Sequence, residues 1–141
     1  MDEPTAELMA EAPLDCFCDG SYNNQKGVGA IGYKFGDNPI TFELKHGIRN
    51  TQLERLAVDR LLELRDQSCP GTTLRVYTDC QWVCDNPEQY PNVVPMKIKA
   101  HKKKSDCLAA DDAAGNNVEI MFRSVDIETR RFVKNHLKSI S

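Results

Sequence analysis

A helical segment with a broad apolar face lies between two groups of strand-like segments, and this order strongly restricts the fold. The helix is predicted over residues 51–67, where apolar residues recur at helical spacing: Leu53, Leu56, Ala57, Val58, Leu61, Leu62 and Leu64. Three segments before it, residues 14–19, 26–35 and 40–46, have strand character and short connecting turns, typical of an antiparallel meander. A fourth strand is predicted at residues 73–78. Because a strand that follows a crossover helix pairs in parallel with an earlier strand, here the first, we predict a mixed sheet in an α/β fold.

The rest of the chain is predicted as a short helix at residues 81–86, followed by helix, strand and helix. The first of these helices covers residues 102–114 and ends at Gly115. The fifth strand is predicted at residues 118–123, and the closing helix at residues 126–138 with Asp126 as its N-cap. We therefore expect a five-stranded mixed sheet with helices on both faces. Strands 1–3 would be antiparallel, and strands 4 and 5 would be parallel to strand 1.

Length and charge predict one domain behind an acidic leader. The chain has 141 residues, enough for a single domain with a full core. Residues 1–15 contain five acidic residues and no Lys or Arg, so we expect residues 1–13 to form a flexible leader and residues 14–141 to form the domain. The sequence has neither a signal-peptide pattern nor an apolar run of about 18–20 residues, so we expect an intracellular protein, cytoplasmic or nuclear, that is neither secreted nor in a membrane.

Cysteines and lysines give weaker indications. The 6 cysteines lack the paired C-x-x-C spacing of a structural zinc site, which favours small buried thiols over a zinc centre. Lysines cluster in residues 97–104, beside His101. That cluster is either a phosphate-binding patch or a solvated surface.

Three acidic residues come from three elements that the predicted topology brings together. Asp19 ends the predicted first strand, Asp79 follows the fourth, and Glu54 lies in the first turn of the helix between them. Converging carboxylates repel one another unless a cation separates them, and Mg²⁺ prefers such oxygen ligands. Two such ions about 4 Å apart can promote phosphodiester hydrolysis. Taken singly, the two aspartates are also compatible with turns, and Glu54 with the helix dipole.

Three stretches of the sequence resemble the ribonuclease H family, both the cellular type I enzymes and the domains of retroviral and retrotransposon reverse transcriptases. They are DGSYNNQKGVGAIGY from Asp19, NTQLERLAV from Asn50 and YTDCQWV from Tyr77. The resemblance covers roughly residues 14–140 and includes the order of the predicted elements. It implies an endonuclease that cuts the RNA strand of RNA–DNA hybrids with two Mg²⁺ or Mn²⁺ ions. A larger replication or reverse-transcription complex is a further candidate partner.

The resemblance also implies site residues. By position, the catalytic metal ligands would be Asp19, Glu54, Asp79 and a fourth acid, for which Asp126 is favoured. Residues expected to contact nucleic acid are Ser21, Asn23, Asn50, Thr51, Gln81 and Trp82, with Asn50 and Thr51 meeting the minor groove, where RNA shows its 2′-hydroxyls. Trp82 is equally compatible with a core aromatic.

The fourth acid and the activity both have alternatives. Glu128 lies within one turn of Asp126; Asp106 would be the ligand if residues 93–99 formed strand 5; or a fourth ligand is absent. The chain departs from the family at Cys80, where serine is usual, and it has no plain match to the family's histidine loop, which leaves the role of His101 open. Two other functions therefore stay open: a ribonuclease H-like module that binds nucleic acid or protein without cutting, and an integrase or resolvase that acts on DNA.

Overall fold

The computed structural model describes residues 13–98 and 118–139. Its elements are β1 (Leu14–Asn23), β2 (Val28–Phe35), β3 (Thr41–His46), α1 (Asn50–Ser68), β4 (Leu74–Thr78), α2 (Gln81–Asp85), a 3₁₀ turn (Pro87–Gln89), β5 (Val93–Lys97) and α3 (Val118–Ser139). The acidic leader, the helix predicted at residues 102–114, His101 and Asp106 lie outside the described residues.

The sheet has the predicted mixed architecture. Its five strands lie in the order β3-β2-β1-β4-β5. β1 and β2, and likewise β2 and β3, are antiparallel, whereas β4 is parallel to both β1 and β5. The parallel pair β1–β4 has Phe17 opposite Tyr77, so the sheet order confirms the predicted return of the chain to β1 after the crossover helix.

Two apolar clusters cover opposite faces of the sheet. On one face, Cys16 and Cys18 of β1 pack with the fully buried Leu53 and Leu61 of α1. On the other, Phe17 stacks on Tyr77 and packs with Phe122 of α3. Burying each of the large side chains contributes about 1.5–3 kcal/mol, so both helices are held against the sheet. Along β1, even-numbered residues therefore face α1 and odd-numbered residues face α3.

The start of α1 differs from the prediction. The helix begins at Asn50 with Arg49 as its N-cap, and no side chain caps it by a hydrogen bond. Asn50 and Thr51 do not cap the helix; both are exposed residues of its first turn. Glu54 consequently lies in the second turn, on the buried side of the helix.

The predicted position of the fifth strand is also wrong. Residues 93–97 form β5, and residues 118–123 are the first turns of α3. The run VEIMFR was ambiguous because a short apolar segment has no clear period of its own. Extended further, the pattern is helical, with one buried face formed by Val118, Phe122, Val125, Thr129 and Val133. Within residues 13–98 and 118–139, no helix is both long and apolar enough to cross a membrane.

Candidate metal centre

Asp19 lies inside the sheet rather than at the end of a strand. β1 continues to Asn23 and pairs with β2 throughout, with Asp19 opposite Gly32. Asp19 follows Phe17 by two residues, so its side chain points toward α3, and it is only 4 % exposed. The parallel register, carried two residues beyond Phe17 and Tyr77, places Asp19 level with Asp79, just past β4. This register is why the two acids meet.

Gly20 brings the third acid to the strands. A Cβ at this position would lie 2.8 Å from Cβ of Leu53 and 3.2 Å from Cγ of Glu54. Real Cβ atoms essentially never approach another atom as closely as 2.8 Å, so any larger residue would push α1 away from β1. The glycine that follows Asp19 therefore lets the second turn of α1 sit directly on β1.

The three acids form one compact group. Asp19, Glu54 and Asp79 each offer a carboxylate oxygen, and these atoms lie within 4.8 Å of one another. Glu54 is hydrogen-bonded to both aspartates. Oδ1 of Asp79 is buried and has no hydrogen-bond partner in the described part of the chain. A buried acceptor without a donor costs free energy, so this oxygen has the chemistry expected of a cation ligand.

Burial and like charge disfavour ionisation of the group. Burial, together with the charges of Asp79 and Asp126, holds the pKa of Asp19 well above its usual range. Burial, followed by the hydrogen bond to Asp79 and its charge, raises the pKa of Glu54 strongly. Bound divalent cations would reverse both effects by stabilising the carboxylates.

Asp126 lies next to this group. It is 2 % exposed, and its carboxyl group is hydrogen-bonded to that of Asp19. It approaches Asp19 from the third turn of α3 and not as an N-cap, so the predicted cap is wrong. Nε of Arg130, one turn later, lies 3.2 Å from Oδ1 of Asp126. Glu128 instead pairs with Arg131 at 2.6 Å on a more exposed part of the helix.

A cleft of about 260 Å³ opens at the acids. It is also lined by Ser21, Tyr22, Asn50 and Arg130. Thr51 lies next to it, in a neighbouring pocket that shares Tyr22 and Asn50 with the cleft. The structure therefore brings Ser21 and Asn50 to the acids and Thr51 to the pocket beside them, and it adds Tyr22 and Arg130 to the cleft. Arg130 could have been identified from the sequence because it lies four residues after Asp126, on the same face of a helix. No sequence pattern distinguishes Tyr22.

The other predicted nucleic-acid contacts make local interactions. Oδ1 of Asn23 accepts a hydrogen bond from the backbone N–H of Lys26 at 2.9 Å. Gln81 donates to Asp85 at 2.8 Å. The ring of Trp82 is covered by the guanidinium of Arg55, 3.8 Å from the ring centroid. These contacts hold the turn after β1 and the short helix α2 in place.

Lys97 is a basic residue that contacts the backbone beside the acids. Its ammonium group, at the end of β5, donates to the backbone carbonyl of Asp79 at 2.8 Å. The sequence had indicated only that Lys97 belongs to a lysine-rich stretch. In the structure, it ties the end of β5 to the segment that carries Asp79.

One of three comparisons with known proteins bears on the fold. No family model matches the chain, and no curated protein matches it. Among solved structures, it is similar to the crystal structure of LC11-RNase H1 in complex with RNA/DNA hybrid, with a TM-score of 0.51 and 15 % sequence identity. The similarity covers 60 % of this chain and 83 % of that one. Together with the strand order β3-β2-β1-β4-β5, this similarity establishes that the chain has a ribonuclease H-like α/β fold.

Proposed function

We propose that the protein is a divalent-metal-dependent endonuclease that hydrolyses the RNA strand of RNA–DNA hybrids. The observation that carries this proposal is the compact group of Asp19, Glu54 and Asp79, whose carboxylate oxygens lie within 4.8 Å of one another. The similar solved structure, LC11-RNase H1, was determined with an RNA/DNA hybrid, which supports the choice of substrate.

The donor set suits Mg²⁺ or Mn²⁺. All the converging ligand atoms are carboxylate oxygens, and one of them, Oδ1 of Asp79, is buried without a hydrogen-bond partner in the described structure. Zinc is a poor match because Cys16 and Cys18 are buried in the core against α1, where burial above all raises the pKa of both thiols. The three acids, with Asp126 beside them, would hold two ions.

The acids and the residues around them would have different roles in hydrolysis. When bound, two such ions promote attack by water and stabilise the leaving oxygen of a phosphodiester. Asp19 and Glu54, fixed by the sheet and by α1, would keep the ligand atoms in place. Ser21 and Asn50 border the cleft and Thr51 borders the neighbouring pocket, and their polar side chains would suit the sugars of an RNA strand in a minor groove. Arg130 supplies positive charge where a phosphate would approach.

Substrate choice tests this function directly. Purified protein with Mg²⁺ or Mn²⁺ is expected to cut the RNA strand of a labelled hybrid and to leave duplex DNA intact. A hybrid with a 2′-O-methyl RNA strand should resist, because the modified sugars cannot donate their hydroxyl hydrogens. Chelation of the metal should stop the reaction. Equal cleavage of hybrid and duplex DNA would instead favour the integrase or resolvase function.

A ribonuclease H-like module that binds without cutting is the alternative function. The observation in its favour is the pairing of Asp126 with Arg130, because a guanidinium on this carboxylate competes with a metal ion. Specific hybrid binding with no cleavage in either metal would support this alternative.

Replacing Asp126 tests its role separately. Asp126→Asn keeps the shape of the side chain but removes a charge beside Asp19, so we expect kcat to fall roughly 10- to 100-fold, or the metal requirement to rise. The melting temperature should change little because the substitution is isosteric. Glu128→Gln, in the same turn but paired with Arg131, is the matched control and should stay active. Unchanged activity and metal dependence in Asp126→Asn would remove this residue from the site.

A further inference from the structure

We propose that a basic groove between β1 and α3 holds the sugar–phosphate backbone of one nucleic-acid strand where that strand extends beyond the metal centre. The inference rests on the proposed function and names a second contact for the same substrate. The groove encloses about 450 Å³ and is lined by Ser21, Tyr22 and Asn23 of β1 and by Arg130, Lys134 and Lys138 of α3. We call it the basic groove.

The groove continues directly from the acidic cleft. Ser21, Tyr22 and Arg130 line both cavities. A strand whose phosphodiester lies at the acids therefore has an open path along α3, with Arg130 at the junction. No Asp or Glu side chain of the described residues lines the basic groove, so the charge changes from acidic to basic along this path.

The spacing of the basic residues fits a nucleic-acid backbone. Arg130, Lys134 and Lys138 follow one another at intervals of four residues, so they lie along one face of the helix. Eight residues of helix span about 12 Å. One strand of a duplex advances about 3.4 Å per phosphate along its axis, so this face matches a run of about three or four phosphates.

The rest of the groove suits the sugars. Val133 and Leu137 contribute apolar surface between the basic side chains, and Tyr22 of β1 borders the same groove. Ser21 and Asn23, also of β1, add hydroxyl and amide groups to its lining. A positively charged wall is the usual arrangement of a groove that follows a nucleic-acid backbone.

Salt-dependent binding tests the groove independently of cleavage. The hybrid is bound in the Asp19→Asn background, where it should remain intact, and affinity is measured by fluorescence anisotropy over a range of salt concentrations. Adding Lys134→Ala and Lys138→Ala should weaken binding roughly tenfold at low salt and flatten the dependence of log K on log[salt] by about 1 to 2, since each lost phosphate contact lowers the slope by about 0.9. Both positions are exposed and helical, so alanine should preserve the fold, which the melting temperature will verify.

A control variant with the same change in charge lies outside the groove. Arg131→Ala with Lys45→Ala also removes two positive charges, but neither residue lines the groove, so the salt slope should match that of the parent. Equal slopes in the groove variant and its parent, or equal losses in both variants, would overturn the proposal. Lys134→Glu should weaken binding further than Lys134→Ala, and equal affinities for those two variants would also contradict it.

The two proposals can fail separately. If the wild-type protein does not cut the hybrid but the groove variant has a flatter salt slope, the groove stands and the nuclease function falls. If the wild-type protein cuts the hybrid and the groove variant binds like its parent, the nuclease function stands and the groove is wrong.

Discussion

Asp19→Asn is expected to reduce cleavage of an RNA–DNA hybrid to background while leaving the protein folded. Asp19 interacts with each of the other acids: its oxygen lies within 4.8 Å of those of Glu54 and Asp79, and it is hydrogen-bonded to Asp126. Losing this ligand charge should cost about 3 to 4 kcal/mol of transition-state stabilisation, roughly a hundred- to thousand-fold in kcat. The measurement is cleavage of labelled hybrid at saturating Mg²⁺ and Mn²⁺.

The same variant should show that its defect is local. Asn has the shape of Asp but no charge, so the metal-free variant loses repulsion from Asp79 and Asp126 and should melt at the wild-type temperature or higher. Mg²⁺ should raise the melting temperature of the wild-type protein more than that of the variant, because ligand binding stabilises the folded state. Asp66→Asn, a change of charge at an exposed residue far along α1, is the control and should keep full activity. Wild-type cleavage by Asp19→Asn would refute the metal site.

The core of the site could be predicted because its three acids depend on strongly patterned elements. The predicted helix at residues 51–67 differs from α1 (Asn50–Ser68) by one residue at each end. Its crossover fixes β4 beside β1, and that pairing alone aligns Asp19 with Asp79. The apolar face of α1 likewise determines that Glu54 points at the sheet. These inferences rest on periods of two and 3.6 residues repeated over long segments, where sequence patterns are most informative.

The last third of the chain could not be predicted in the same way. VVPMK, the actual β5, contains a proline, which is unfavourable for ladder hydrogen bonds except in an edge strand such as this one. VEIMFR looked more strand-like, but its apolar residues continue the helical face of Phe122, Val125 and Thr129. Only packing against Phe17 and Tyr77 identifies that face as the core side.

Asp126 illustrates the consequence of this error. It was expected at the site as the N-cap of a helix starting at residue 126, whereas α3 starts at Val118 and presents Asp126 from its interior. The residue reaches Asp19 because it lies on the buried face of α3, between Val125 and Thr129 in the same two turns. The fit of α3 to the sheet therefore controls the fourth acid, and no local motif reveals that fit.

Gly32 controls that fit at the position opposite Asp19. It pairs with Asp19 across β1 and β2, and a Cβ there would overlap the hydroxyl of Thr129 on α3. Thr129 is fully buried, and its hydroxyl donates to the carbonyl of Val125 at 2.6 Å, so it cannot swing aside. A methyl group at residue 32 must therefore displace α3, and with it Asp126.

Gly32→Ala is accordingly expected to lower the free energy of unfolding by about 1–3 kcal/mol, measured by denaturant titration. Cleavage should fall by more than the loss of folded protein explains, because a shift of about 1 Å at a catalytic group can cost as much as a hundred-fold in rate. Thr129→Ala in the same molecule removes the overlapping hydroxyl and should restore part of both losses. The restoration stays partial because Cβ of residue 129 would still lie 3.2 Å from the new methyl group.

A double-mutant cycle among the wild type, the two single variants and the double variant gives the coupling energy. Additive effects would show that α3 does not rest on β2 through this contact, and the position of Asp126 would then need another cause.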